Sequence, residues 1–237
     1  MKYLIPILFL VYSSFSYSGC REAAHNSSLE QVLSLADRPH LNEFEEEYLK
    51  ELNFVRMNPK GYIKFLEQRL ENTNSDGTYR ENGSLFMGQE GKSAIIEAIN
   101  FLKNVTPIDK ELLLSSGLSK AAKGHATELG EAGKTGHYSL DRTDPFQRIA
   151  RFGVQSGSFN ENISYTANSA RGHIIDLLVD DGVASRGHRK AIFNISNKKV
   201  GVGCASHTIY TRMCVADFSQ NFTERASSSG VIIVDEF

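Results

Sequence analysis

KVGVGCASHTIYTRMCVADF, from Lys199 to Phe218, is the stretch on which the fold turns. Two apolar runs, 199–204 and 209–218, flank the polar turn Ser206 to Thr208, which is the pattern of two antiparallel strands joined as a hairpin. Facing strands would bring Cys204 and Cys214 within bonding reach, so a disulfide is expected in an oxidising compartment. Upstream of this hairpin the spacing changes from two to between three and four. Phe44, Tyr48, Leu52 and Val55 mark a helix stopped by Pro59, and Tyr62, Phe65, Leu66 and Leu70 mark a second. Residues 72–83 read as a polar loop. Ile95, Ile96, Ile99 and Leu102 give a third helix ending before Pro107. The longest helix is expected over 110–132, with Leu114, Leu118, Ala122, His125 and Leu129 on one face, which turns His125 toward the core. Asp144-Pro145 opens a short helix closed by Gly153, residues 162–166 read as a short strand, and 170–179 return to helical spacing. Helices come first and paired strands last, with too few strands for an alternating parallel sheet, so the class is α+β.

The chain has 237 residues, with 26 Lys plus Arg against 28 Asp plus Glu and a net charge of −2. That balance offers no basic field for a nucleic-acid backbone, and no nucleic-acid partner is expected. Lys2, the apolar run from Tyr3 to Tyr12 and the small residues Ser13 to Gly19 have the layout of a signal peptide over 1–20. The apolar run is shorter than the ~20 residues that cross a bilayer. Ser18-Gly19-Cys20 resembles a bacterial lipobox, although Tyr17 stands where such motifs usually carry Leu. Cys20 is therefore read either as a lipidation site, anchoring the protein to a membrane, or as a free thiol beside an ordinary cleavage site. A polar linker over 21–42, a folded domain over 43–222 and a C-terminal tail over 223–237 complete the expected organisation, with a secreted or lipid-anchored location at the cell envelope.

The ionisable residues of interest lie at element ends beside Gly or Asn: Gly136-His137-Tyr138-Ser139, Asn160-Glu161-Asn162 and the run from Asp180 to Arg189. His137 and His188, with Glu161 and Asp180 or Asp181, have the chemistry to bind a divalent metal such as Zn2+ if they converge. Spacing leaves convergence open, since 51 residues separate the two histidines and no HExxH helix is present. Glu161 could equally accept backbone N–H bonds in a loop. His125 reads as a core histidine, and His25, His40, His173 and His207 as surface residues. Ser139, Ser164 and Ser185 lack a nucleophile elbow, and Arg148, Arg186 and Arg189 read as loop braces.

Six motifs in order carry a family resemblance: LNFVRMNP from Leu52, AAKGHATEL with GHYS, DPFQRIARFG, NENISY, DDGVASRGHRKAIFN, and VGVGCA with the closing DFSQNF. Together they resemble the CAP superfamily of cysteine-rich secretory proteins, antigen 5 and pathogenesis-related proteins, in its bacterial-type SCP form. The resemblance implies an α-β-α sandwich around a central antiparallel sheet and a surface cleft with a tetrad of two His and two acids. Carried over, His137 and His188 are the tetrad histidines and Glu161 the first acid. The second is Asp180 or Asp181, with Asp180 favoured. Asn160 departs from the usual Gly before Glu-Asn-Ile, and the cysteine-rich extension of the venom and sperm branches is missing. The expected function is a non-enzymatic exported binding protein holding a divalent metal, with a lipid or sterol ligand suggested by the family. The alternatives are a metal-dependent hydrolase with Glu161 as general base and a structural or adhesive envelope protein.

Overall fold

The computed structural model describes residues 40–81, 84–165 and 169–225. The expected signal peptide, Cys20, most of the linker and the tail from residue 226 lie outside the described residues. Helix α1 (Glu43–Met57) starts in a capping box: the Asn42 side chain accepts from Glu45 N–H at 3.0 Å, and the Glu45 carboxylate accepts from Asn42 N–H at 3.0 Å. Asn58 ends it and caps α2 (Pro59–Asn72), with Pro59 at the first helical position, where a missing N–H costs nothing. After α2 the chain makes a small hairpin, β1 (Thr78–Glu81) with β2 (Ser84–Met87), in place of the expected polar loop. The remaining elements are α3 (Lys92–Asn104), β3 (Leu113–Leu114), α4 (Ser116–Ala132), α5 (Pro145–Ala150), β4 (Gly153–Ser164), α6 (Ala170–Val179), α7 (Gly187–Ile192), β5 (Lys199–His207) and β6 (Thr211–Glu224).

The main sheet has the order β3-β5-β6-β4. β5–β6 and β6–β4 are antiparallel, whereas the two-residue β3 pairs parallel to β5, so the expected antiparallel sheet carries one short parallel edge. Side chains alternate across the pleat, and the sequence sorts them accordingly. Val200, Val202, Cys204, Cys214, Ala216 and Phe218 join the larger core with Tyr48, Leu52, Leu66, Ile99 and Leu178 from α1, α2, α3 and α6. Met213 and Val215 face the other way, onto Ala122, Ala126 and Leu129 of α4. Helices thus cover both faces, as an α-β-α sandwich requires. The close seat of α4 explains two glycines. A Cβ at Gly201 would lie 2.1 Å from the Leu118 carbonyl carbon, and one at Gly203 would lie 2.1 Å from Lys123 N.

Beyond β3 the outer edge of β5 has no strand neighbour among the described residues, and side chains take its backbone groups. Ser119 Oγ accepts from Val202 N–H at 3.2 Å, Glu45 Oε1 accepts from Cys204 N–H at 2.8 Å, and Lys123 Nζ donates to the Cys204 carbonyl. A covered edge does not template pairing with another chain. Cys204 and Cys214 are register partners and form a disulfide.

Several expectations are corrected. The helix expected from 110 begins at Ser116, because Ser115 caps it by accepting from Leu118 N–H and residues 113–114 pair with β5. Of the strand expected over 162–166, residues 162–164 are the end of the twelve-residue β4, whose polar first half hides its period, Tyr165 is past it, and residue 166 lies outside the described residues. Spacing does not predict the short α7, and β6 continues two residues past 222. His173 and His207 are buried rather than on the surface. His173 bonds Ser164 Oγ at 2.7 Å between the rings of Phe44 and Tyr48, and burial lowers its pKa to about 3. His207 accepts from the N–H groups of Ile209 and Tyr210 in the β5–β6 turn and donates to the Lys134 carbonyl. Both satisfy the rule that buried polar groups are bonded. Among the described residues no helix is long and apolar enough to cross a membrane.

Candidate functional site

The loop that carries His137 is built from its two ends. Gly133 closes α4 in the left-handed conformation that glycine tolerates. His125, from the buried face of α4, donates from Nε2 to the Gly136 carbonyl at 3.0 Å, and Gly136 N–H donates to Tyr165 Oη at 2.8 Å. His125 is therefore a core histidine that sets the loop. Burial first, then the Arg148 charge, pull its pKa down. Arg148 of α5 donates to the His137 carbonyl at 2.6 Å.

The His137 ring leans on β4. Its Nδ1 lies 2.7 Å from Glu161 Oε1, while Arg148 occupies Glu161 Oε2. The Glu161 side chain is 3% exposed and that of His137 47%, so a buried carboxylate orients a solvent-facing imidazole. Burial alone would raise the Glu161 carboxyl, but the His137 hydrogen bond and the Arg148 guanidinium outweigh it and hold the group below the usual range. A carboxylate only accepts, so Nδ1 carries the proton and Nε2 of the neutral ring keeps its lone pair.

The second histidine repeats this arrangement. Asp180 ends α6 at φ +55°, an uncommon conformation for a residue with a Cβ, and its buried carboxylate accepts from His188 N–H at 2.9 Å and from His188 Nδ1 at 2.6 Å. Arg189 holds the same corner, donating to the carbonyls of Leu178 and Val179 at the end of α6 and to Glu97. Asp181 points elsewhere, accepting from Gln89 N–H and Glu90 N–H between β2 and α3, so Asp180 alone of the two pairs with a histidine. Asn162 Nδ2 donates to the His188 carbonyl at 3.0 Å. Consecutive β4 residues thus hold the two histidines, Glu161 by the ring and Asn162 by the main chain, at the edge strand of the sheet. Asn160 Oδ1 accepts from Asn194 and Asn197, which gives its departure from the expected glycine a local bonding role.

His137–Glu161 and His188–Asp180 are two separate pairs. Among the described residues no group of three or more His, Cys, Asp or Glu side chains is arranged to hold a metal ion. No hydrogen bond engages the Nε2 of either histidine among the described residues. The described cavities lie away from both pairs. One of about 210 Å³ is lined by Arg69, Tyr79, Met87, Ile95, Asp176 and Val179, and another of about 340 Å³ by residues including Phe65, Arg80 and Arg171. Arg148 braces the His137 loop as expected and pairs with Glu161 as well, while sequence reasoning missed Asp217, which faces Glu161 across the β4–β6 ladder. A lone Asp inside the apolar run VADF was the available signal for it.

Residues 103–218 match the sequence model of the cysteine-rich secretory protein family, CAP. No curated protein matches the chain. Among solved structures it is similar to an outer surface protein from Borrelia burgdorferi, at 24% identity and a TM-score of 0.38 over 46% of this chain and 77% of that one. It is also similar to an extracellular protein containing an SCP domain from Bacillus anthracis, at 20% identity and a TM-score of 0.37 over 54% of this chain and 38% of that one. The family match spans the stretch from α3 into β6 that carries both histidine pairs, and the α+β sandwich is the one that the ordered motifs imply: over residues 103–218, just under half of its length, the chain matches the CAP superfamily.

Proposed function

We propose that this chain is an exported, non-enzymatic binding protein whose ligand contacts centre on His137 and His188. The observation that carries this reading is the repeated pair: each imidazole has Nδ1 fixed on a buried carboxylate and an unengaged Nε2. That arrangement is how proteins orient metal-binding histidines. The donor chemistry fits a divalent cation such as Zn2+ held by two imidazoles, with Glu161 and Asp180 orienting the rings rather than ligating. Bound there, the ion supplies an open coordination position for an oxygen or nitrogen ligand. Among the described residues no group of three or more such donors is arranged to hold a metal, which argues against a closed structural site.

The hydrolase alternative assigns Glu161 the work of a general base. A base acts best with a pKa near the working pH and a free lone pair. Glu161 has both oxygens committed, to His137 and Arg148, and is held below the usual carboxylate range, which weighs against that role. The lipid reading draws no support from the described cavities, whose linings mix Arg and acidic residues with apolar side chains. Export is supported by the signal-peptide layout of residues 1–20 and by the Cys204–Cys214 disulfide, a bond that persists in oxidising compartments.

Calorimetric titration of Zn2+ into metal-stripped protein tests the proposal, beside His137→Ala and His188→Ala variants whose folding is checked by circular dichroism. Micromolar binding in the wild type, lost in both folded variants, is expected. Absence of binding in the wild type would remove the metal from this reading.

A further inference from the structure

Asp217 has no task in the reading above. In β6 it faces Glu161 on β4 across one ladder and Gly201 on β5 across the other, under the part of α4 where Leu118 and Ser119 close on Gly201. It is 0% exposed, and neither of its carboxylate oxygens has a hydrogen-bond partner among the described residues. Arg148 on α5 is a buried cation whose charge acts on Asp217, and its bonds go to Glu161 and to the carbonyls of His137 and Thr143. The other ionisable groups around the Glu161 carboxylate are His137 on the loop and His125 on α4.

An ionised Asp217 would be a bare charge out of water beside a second carboxylate. Desolvating an unpaired ion is expensive, and like charges sharing a buried site do not both ionise. One proton resolves both problems, because a carboxylic acid can donate to the carboxylate opposite while losing its own charge. We propose that Asp217 is a carboxylic acid in the folded protein and donates a hydrogen bond to Glu161, making Asp217 a positioning residue behind His137. The row then runs from the buried acid through the Glu161 carboxylate to the His137 Nδ1–H. Burial first, and then the Glu161 charge, push the Asp217 carboxyl well above the ordinary aspartate range, while Glu161 stays below its own. The inference concerns protonation alone and stands whether or not a metal binds.

The sign of the pH dependence follows from linkage. A carboxyl raised in the folded state makes that state the better proton binder. Its stabilising effect is complete below the ordinary aspartate range near pH ~4 and declines as pH rises toward the folded pKa. Asp217→Asn keeps a donor toward Glu161 and has no proton to lose. The melting temperature of Asp217→Asn minus that of the wild type is therefore expected to be small near pH ~4 and to grow in favour of the variant toward pH ~8.

Infrared spectroscopy of wild-type protein carrying 13C-labelled aspartate gives a readout that needs no variant to fold. A protonated carboxylic acid carbonyl band is expected at neutral pH, and it should be absent from Asp217→Asn. Nitrogen-15 and proton spectra of the imidazoles then test positioning: the His137 Nδ1–H resonance should keep its wild-type shift in Asp217→Asn and move in Asp217→Val, where Glu161 has lost its donor. Absence of the acid band from folded wild type at neutral pH, or a melting difference that does not change with pH, would overturn the proposal. So would an unchanged His137 Nδ1–H shift in folded Asp217→Val.

Discussion

The seat of α4 against β5 can be tested with two glycines that call for opposite results. A Cβ at Gly203 would fall 2.1 Å from Lys123 N, 2.4 Å from Lys123 Cα and 2.5 Å from the Ala122 carbonyl carbon. These are main-chain atoms of a helix, so no side chain can swing aside, and each distance is far inside the ~3.5–4.0 Å at which carbon atoms pack. Gly203→Ala must push α4 off the sheet or bend β5. Overpacking of this kind costs about 1–3 kcal/mol, against about 0.4–1 kcal/mol gained by stiffening the unfolded chain. With so close a contact the upper part of the range applies. A net loss of about 2 kcal/mol lowers the melting temperature by roughly 4–8 °C in a chain of this size. Gly124, one residue further along α4, has nothing within 4 Å of its would-be Cβ. Gly124→Ala should therefore gain the ordinary helix preference, about 0.5–1 kcal/mol. Thermal melts of both variants under non-reducing conditions decide the matter. A Gly203→Ala protein as stable as the wild type, or a Gly124→Ala protein less stable, would refute the packing argument.

Three further outcomes follow from buried groups. Arg56 is almost fully buried and donates to the Ile192 carbonyl and, at 3.4 Å, to that of Asn197, while burial lowers its pKa to about 10. Arg56→Met should cost about 2–4 kcal/mol in urea unfolding, and Arg56→Lys should not restore it, because a single ammonium does not reproduce the guanidinium fork. Glu161→Gln leaves buried Arg148 without its charge partner, with an expected loss of about 3 kcal/mol at neutral pH. Because the Glu161 carboxyl is lowered in the folded state, its contribution is present above the ordinary glutamate pKa and is lost as pH falls through the folded value. The two stability curves should converge on acidification, and a constant gap would count against the pairing. Replacing both Cys204 and Cys214 by Ala opens a loop of sequence separation 10, for which chain entropy predicts a loss of roughly 3 kcal/mol, measured against the reduced wild type as control.

The class of fold was legible because helical spacing and the terminal hairpin dominate the sequence and agree with each other. Leu52, Val55, Leu66, Leu118 and Leu129 are buried at the positions their spacing implies. What the sequence hid has specific causes. The first half of β4 is an edge strand bent by a register shift between Ser156 and Phe159, so its Ser and Gln residues never alternate with apolar ones. His173 resembles a polar residue on a helix surface, but a one-dimensional pattern does not reveal the Ser164 hydroxyl that satisfies it.

At the site, motif order pointed to His137, Glu161 and His188 by chain position, whereas their pairing needed three dimensions. Asp180 and Asp181 are adjacent in sequence, and what separates them is the left-handed turn at Asp180, which sends one carboxylate to His188 and the other to the β2–α3 turn. Asp217 escaped notice because its partner lies 56 positions away, a relation set by strand register rather than by any local pattern.

Nitrogen-15 imidazole spectroscopy of the folded protein at neutral pH tests the central claim most directly, since it reads which ring nitrogen of each histidine is free. The account predicts that the neutral rings of His137 and His188 both carry their proton on Nδ1, and that added Zn2+ shifts the Nε2 signals of both. An Nε2–H tautomer at either residue, or Zn2+ binding that leaves both Nε2 signals unmoved, would contradict it.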